Sequence, residues 1–256
     1  MTPVPLSVLI TGANRGIGLG LVKQWASLTG VKHIFACARK PDAAEELKDL
    51  SRNDARIHCV KLDVNSDKSI LDAKKQVDLL LDEGNGLNVL INNAGCMIAE
   101  GGTLENADRS VYLQHFDTNV VSVAKMIEAF LPLLKMASKE CISDEWGVHR
   151  AAIINISSGV GSIESNNTGS KLVRSIPYRL SKAALNQLTK TLSVDLAEDS
   201  ILVVSVCPGW VKTDMGGPEA SLTVEQSSKA QLQTALSLRK EHSGLLLSYD
   251  GTKLAY

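Results

Sequence analysis

VLITGANRGIG, Val8 to Gly18, decides how the rest of the chain is read. A short apolar run, VLIT (8–11), passes straight into Gly12-Ala13-Asn14-Arg15-Gly16-Ile17-Gly18, and an amphipathic pattern follows. The glycines are spaced G-x-x-x-G-x-G, and each has a use in a strand–turn–helix. Gly12 permits the tight turn, Gly16 lets backbone approach a pyrophosphate, and Gly18 lets the helix pack close to the strand. The helix N-terminus presents free N–H groups and the positive end of its dipole to an anion. The turn, with Asn14, Arg15 and Ile17 between its glycines, is therefore a candidate dinucleotide cradle. A glycine-rich turn without a ligand would look the same alone; its place between the first strand and an amphipathic helix favours the phosphate reading.

Outward from that turn, short apolar runs alternate with helical patterns. The runs are VLIT (8–11), HIFACA (33–38), IHCVKL (57–62), NVLIN (88–92), AAIINIS (151–157), LVVSVC (202–207) and LLLSY (245–249). They show little internal alternation, as strands buried on both faces do. Helical stretches lie between them at about 17–29, 42–52, 66–82, 108–138, 178–198 and 222–240. This βαβ series predicts an α/β fold: a single-domain, doubly wound (Rossmann) parallel seven-stranded sheet with helices on both faces. No low-complexity linker divides residues 1–256. Two connections are long, 139–150 and 159–177, and loops of that length are usually functional or mobile.

The second strand ends Cys37-Ala38-Arg39-Lys40. A fold of this kind that prefers NAD places an acid about 20 residues past the glycines, on the ribose 2′-OH. Counting from Gly18, 38 − 18 = 20 positions on, the residue is Ala38. Arg39 follows at once and Arg15 sits inside the turn. Two guanidiniums and no carboxylate suit a 2′-phosphate, so the predicted cofactor is NADP(H). The third strand ends Leu62-Asp63-Val64, at the ligand edge of an open α/β sheet. Asp63 either accepts the adenine amino group or caps the next helix, a task for which Ser66 is better placed.

Composition bounds the function. The chain has 256 residues, 44% apolar and 21% charged, with net charge −1 and a pI of about 6.5. Nothing in this balance suggests a nucleic-acid or membrane partner. No run approaches the roughly 18 apolar residues of a spanning helix, and MTPVPLSVLITG reads as no signal peptide. Five cysteines, an odd number without a CxxC, read as reduced thiols of a cytoplasmic protein, not a disulfide framework or zinc site. The five histidines show no metal spacing.

Further motifs follow the glycine turn in a fixed order: Asn92-Asn93-Ala94-Gly95, Asn119, Ser157-Ser158, Tyr178-Arg179-Leu180-Ser181-Lys182 and Pro208-Gly209. Together they resemble the short-chain dehydrogenase/reductase family over nearly the whole chain. AAIINISS, PGWVKTDMGG and YDGTKLAY look closest to the sniffer-type carbonyl reductases. The resemblance implies roles. Tyr178 is the general acid in reduction, Lys182 tunes it and binds the nicotinamide ribose, Ser158 orients the substrate oxygen, and Asn119 helps hold a water between Lys182 and solvent. Asn92, Ala94 and Gly95 lie along the adenosine side. Pro208 and Gly209 pass the nicotinamide, where Val211 bonds the carboxamide through its backbone and the Thr213 hydroxyl contacts the carboxamide or pyrophosphate. Trp210 and Met215 either line the substrate side or pack.

The chemistry also stands without the family. Carbonyl reduction needs a hydride donor, a proton donor and a holder for the oxygen, and nicotinamide supplies only the first. A free Tyr has a pKa near ~10, and an ammonium one helical turn away favours its phenolate. Strand alternation lets only one of Ser157 and Ser158 face the site, and the family motif implies the second. Between Ser158 and Tyr178 lie 178 − 158 = 20 positions, where many relatives have a shorter loop. The extra residues, around Ser165 to Ser175, are read as a wall or flap. Cys96 and Cys207 fall near the cleft and have no obvious base partner, so they read as filler. Two alternatives share the fold. A sugar-nucleotide epimerase or dehydratase usually carries G-x-x-G-x-x-G and a longer chain, and a non-catalytic NADP(H) sensor would be favoured by the loss of Asn119, Ser158, Tyr178 or Lys182, all of which are present. The resemblance also implies a homodimer through helices 108–138 and 178–198.

Overall fold

Strand β1 (Ser7–Thr11) is buried along its whole length, and its side chains alternate between two cores. Val8 and Ile10 join one apolar cluster with Leu21, Trp25 and Leu232. Leu9, between them, joins a second with Val77, Phe130 and Leu185. A strand that feeds a core on each face must have helices on both sides, which is why the apolar runs lack alternation. The computed structural model describes residues 4–81, 84–171, 173 and 175–256. Residues 1–3, Asp82 at the end of the expected third helix, and Leu172 and Arg174 of the long segment before Tyr178 lie outside the described residues.

The other strands are β2 (His33–Ala38), β3 (Ile57–Lys61), β4 (Val89–Asn92), β5 (Ala152–Ile156), β6 (Leu202–Cys207), β7 (Leu246–Ser248) and β8 (Lys253–Leu254). They form one sheet in the order β3-β2-β1-β4-β5-β6-β7-β8. Pairing is parallel from β3 to β7, and β8 runs antiparallel to β7. The expected seven strands thus become eight. The added strand is two residues long, too short to leave a periodic signal. The strand order reverses between β1 and β4, and ligands of open α/β sheets bind in the crevice beyond the strand ends at such a switch point. The glycine turn ends one of these strands and Asn92-Asn93-Ala94-Gly95 ends the other.

The helices are α1 (Gly16–Ala26), α2 (Glu45–Asn53), α3 (Asp67–Leu80), α4 (Arg109–Phe116), α5 (Ser122–Glu140), α6 (Ile176–Asp195) and α7 (Val224–Ser237). The expected helix 108–138 is interrupted: a π-helical segment, Asp117–Val121, separates α4 from α5. Such bulges gather at functional sites, and this one carries Asn119. Helix α6 begins two residues before Tyr178. Ser175 caps it by accepting from the Tyr178 N–H, and Pro177 occupies its first turn. No helix among the described residues is long and apolar enough to cross a membrane.

Candidate active site

The glycine turn is shaped for a close backbone approach. Gly12 and Gly16 have φ of +66° and +55°, conformations that L side chains adopt only with strain. A Cβ on Gly18 would lie 2.2 Å from the Gly12 carbonyl oxygen, so only glycine lets α1 sit this close to β1. Arg15 is the N-cap residue and gives no side-chain cap, and no acid stands in the first turn of α1. Its N-terminal N–H groups are thus left to an anion. Asn14 and Arg15 are exposed, whereas Ile17 packs against the first core.

Two residues missed from the sequence brace this turn. Thr11 Oγ1 accepts from the N–H groups of Asn93, at 3.0 Å, and Ala94, at 2.9 Å. Asn93 Nδ2 donates to the carbonyls of Thr11, at 2.8 Å, and Gly12, at 3.3 Å. Asn92, expected along the cofactor, turns into the sheet instead: it is buried and donates to Asn155 Oδ1 at 2.9 Å. Neighbouring residues point to opposite sides, so of this Asn pair the second reaches the turn.

The basic side chains stand differently. Arg39 is exposed past β2, beside the buried methyl of Ala38. Arg15 instead pairs with Asp214, from the loop after β6. Asp63 Oδ1 accepts from Asn65 N–H at 3.1 Å. Ser66 caps α3, which removes the capping alternative for Asp63. Val64 packs against the second core. On the far wall, Gly209 has φ +79°, and a Cβ there would lie 2.5 Å from Leu222. Ser227 Oγ donates to the Pro208 carbonyl at 2.7 Å. Val211 bridges to Leu222 through its neighbours' Trp210 carbonyl and Lys212 N–H, so its own N–H points away from that bridge. A Cβ on Gly16 would lie 3.3 Å from Thr213 Cγ2, so this loop faces the glycine turn. Trp210 and Met215 are largely exposed, with Trp210 Nε1 donating to the Gly216 carbonyl at 2.7 Å.

Tyr178, Lys182 and Ser158 converge at the end of this groove. Ser158 faces the Tyr178 phenol, whose charged form it favours, and starts the short 3₁₀ turn Gly159–Gly161. Ser157 points the other way, donating to Asn186 Oδ1 at 2.6 Å inside the sheet–α6 interface. Lys182 is buried, with Nζ donating to the Ile156 carbonyl at 2.8 Å and lying 5.7 Å from the Tyr178 ring centroid. Asn119 is clamped. Its Oδ1 accepts from Cys96 N–H at 2.9 Å, and its Nδ2 donates to the Cys96 carbonyl at 3.0 Å and Ser181 Oγ at 2.9 Å. Both ends of the amide are engaged, so the side chain fixes the loop after β4. A Cβ on Gly95 would lie 3.1 Å from Asn119 Oδ1 and 3.8 Å from Lys182 Nζ, so glycine leaves room between them.

One electrostatic expectation is corrected. Lys182 was expected to pull the phenol down, but burial pushes Tyr178 up to about 12 despite the lowering effect of Ser158. Burial also brings Lys182 down to about 8. The ammonium lies over the ring and bonds a backbone carbonyl, and taking both groups out of water opposes the charged form of each. Tyr178 therefore keeps its proton at neutral pH. Cys96 is pushed up chiefly by burial, and all five cysteines are free. Among the described residues no cluster could hold a metal ion.

The sequence profile of the short chain dehydrogenases matches residues 7–222. The chain belongs to the short-chain dehydrogenase/reductase family. Among solved structures of this family it is similar to carbonyl reductase Sniffer of D. melanogaster, with 43% identity, TM-score 0.91, and 98% of this chain and 100% of that one covered. It is also similar to the NADPH-bound carbonyl reductase from chicken fatty liver: 38% identity, TM-score 0.92, 99% and 100% covered. An uncharacterised oxidoreductase of Schizosaccharomyces pombe is 33% identical over 265 residues, 97% of this chain and 96% of that protein. This short-chain dehydrogenase/reductase is an oxidoreductase.

Proposed function

We propose that the protein is an NADP(H)-dependent carbonyl reductase, converting an aldehyde, ketone or quinone to the alcohol or hydroquinone with Tyr178 as the proton donor. The observation that carries this is the convergence of Tyr178, Ser158 and Lys182 at the end of a glycine cradle that only Gly18 lets close. NADP(H) fits the residues present. The cradle has an uncapped helix N-terminus for the pyrophosphate, and Arg39 beside Ala38 offers a guanidinium and no competing acid to the 2′-phosphate. When bound, the cofactor supplies the hydride. The protein supplies the rest. Ser158 holds the carbonyl oxygen against Tyr178, which delivers its proton to that oxygen as negative charge develops there. Lys182 stands behind the phenol, where its charge stabilises the phenolate left by proton transfer. The chain's similarity to two carbonyl reductases over nearly its whole length supports the same reading.

The test is incubation with NADPH and a panel of aldehydes, ketones and quinones, with product analysis. Reduced product is expected in one-to-one ratio with NADPH consumed for at least one class. NADPH binding without turnover of any carbonyl would instead favour a sensor.

A further inference from the structure

His115 lies on α4, two residues before the π segment, and its side chain is completely buried. Both ring nitrogens are engaged. Nδ1 lies 2.7 Å from the Val111 carbonyl oxygen, and Nε2 lies 3.0 Å from the Ile98 N–H. A carbonyl only accepts and a backbone N–H only donates, so the ring is neutral, with its proton on Nδ1. The imidazole also stands edge-on to Tyr178, with centroids 6.4 Å apart and planes at 69°, the favoured geometry for an aromatic pair.

Ile98 leads back to the same tyrosine. Its carbonyl accepts from Ser175 Oγ at 2.8 Å, and that oxygen accepts in turn from Tyr178 N–H at 3.4 Å. The Gly102 carbonyl accepts from Ile176 N–H at 2.8 Å. The strand-end loop 95–102 is therefore strung between two supports. On one side stand His115 and, one turn on, Asn119; on the other stands the first turn of α6. His115 thus reaches Tyr178 by two routes, through its ring edge and through Ile98 and Ser175.

We propose that His115 is a positioning residue for the reaction, holding the Tyr178 phenol and the loop beside it in reacting register through its neutral imidazole. The inference rests on the carbonyl reductase reading. A proton donor displaced by a fraction of an ångström slows the chemical step without altering the cofactor cradle on the other side of the sheet's switch point. His115→Phe keeps the ring and the buried volume but leaves the Ile98 N–H without an acceptor. His115→Gln returns an acceptor near the Nε2 position without the ring.

The experiment is single-turnover oxidation of bound NADPH at saturating carbonyl, reading rate constant and amplitude separately. For His115→Phe the rate constant is expected to fall by about ten- to a hundredfold, with full amplitude and unchanged NADPH affinity. His115→Gln is expected to recover most of the loss. A reduced amplitude at the wild-type rate constant would mean only fewer folded molecules, and would overturn the proposal. So would a wild-type rate constant in both variants. Should His115→Phe fail to fold, His115→Leu takes its place: a rate constant about tenfold or more below that of His115→Gln supports the proposal, and equal wild-type rate constants in the two overturn it. A second readout needs no turnover. Nitrogen NMR of the cofactor-free protein should show His115 as the neutral Nδ1–H tautomer near pH 7, and an Nε2–H or doubly protonated ring overturns the proposal. If wild type binds NADPH but reduces no carbonyl, the reductase reading fails. If wild type is active and His115→Phe matches it, only the His115 proposal fails.

Discussion

At position 38 a buried methyl stands where a carboxylate would hold a ribose hydroxyl, and the exposed Arg39 guanidinium follows. On the proposed reading a 2′-phosphate would gain a charge-assisted hydrogen bond there, worth about 1.5–3 kcal/mol. Arg39→Asp is therefore expected to weaken NADPH binding by on the order of tenfold or more, with little loss for NADH. Equal losses for the two cofactors would sink the 2′-phosphate argument. Arg15 was readable as a second phosphate ligand, but its pairing with Asp214 could not be foreseen, because it joins positions 199 residues apart. Lys182 gives a second expectation at this scale. Burial takes it down to about 8, while an unfolded lysine titrates near ~10.4. Between these values the unfolded chain holds a proton that the folded chain has lost, so folding stability rises with pH across the window. Urea unfolding of the cofactor-free protein should show wild type gaining stability relative to Lys182→Met from pH 8 to 10. Parallel curves would contradict the buried-ammonium account. The phenol of Tyr178 works in the opposite sense, and only above about pH 10.

Element by element, the sequence carries the fold best where periodicity is long. Strands β1 to β6 fall within a residue or two of their apolar runs, because buried parallel strands need continuous apolar stretches. What periodicity cannot show is a break that keeps the apolar face. The π segment Asp117–Val121 inserts into such a pattern, and the expected single helix splits there without any Gly or Pro to mark it. The start of α6 is similar. Ser175 and Pro177 are an ordinary cap and first-turn pair, visible afterwards but hidden in a long polar segment. Ser175→Ala is expected to cost about 1 kcal/mol in urea unfolding as a lost cap. It should also slow turnover, because the same hydroxyl holds the Ile98 carbonyl. Lost stability with wild-type turnover would limit Ser175 to capping. The paired Asn92 and Asn93 show another limit: both residue types were visible, but which one braces the glycine turn depended on the twist at the strand's end.

For the whole molecule, the strand order brings the glycine turn, the Asn93–Gly95 corner and the first turn of α6 to one edge of the sheet, which is why motifs far apart in sequence make one groove. The order of those motifs made the family readable. The walls of the groove were less so, since they depend on pairings such as Asn119 with Cys96 and His115 with Ile98. The outer faces of α4, the π segment and α6 expose Leu113, Val121, Leu180 and Val194, and we propose that two copies pair there. Light scattering is expected to give twice the chain mass, with Val194→Glu shifting it toward one; a wild-type monomer would contradict the pairing. The most direct test of the account is NADPH oxidation by wild type and Tyr178→Phe, side by side, with the best carbonyl substrate. Wild type is expected to turn over, with Tyr178→Phe slower by about 10²–10⁴-fold and binding NADPH equally well. Equal oxidation rates in the two proteins would contradict Tyr178 as the proton donor.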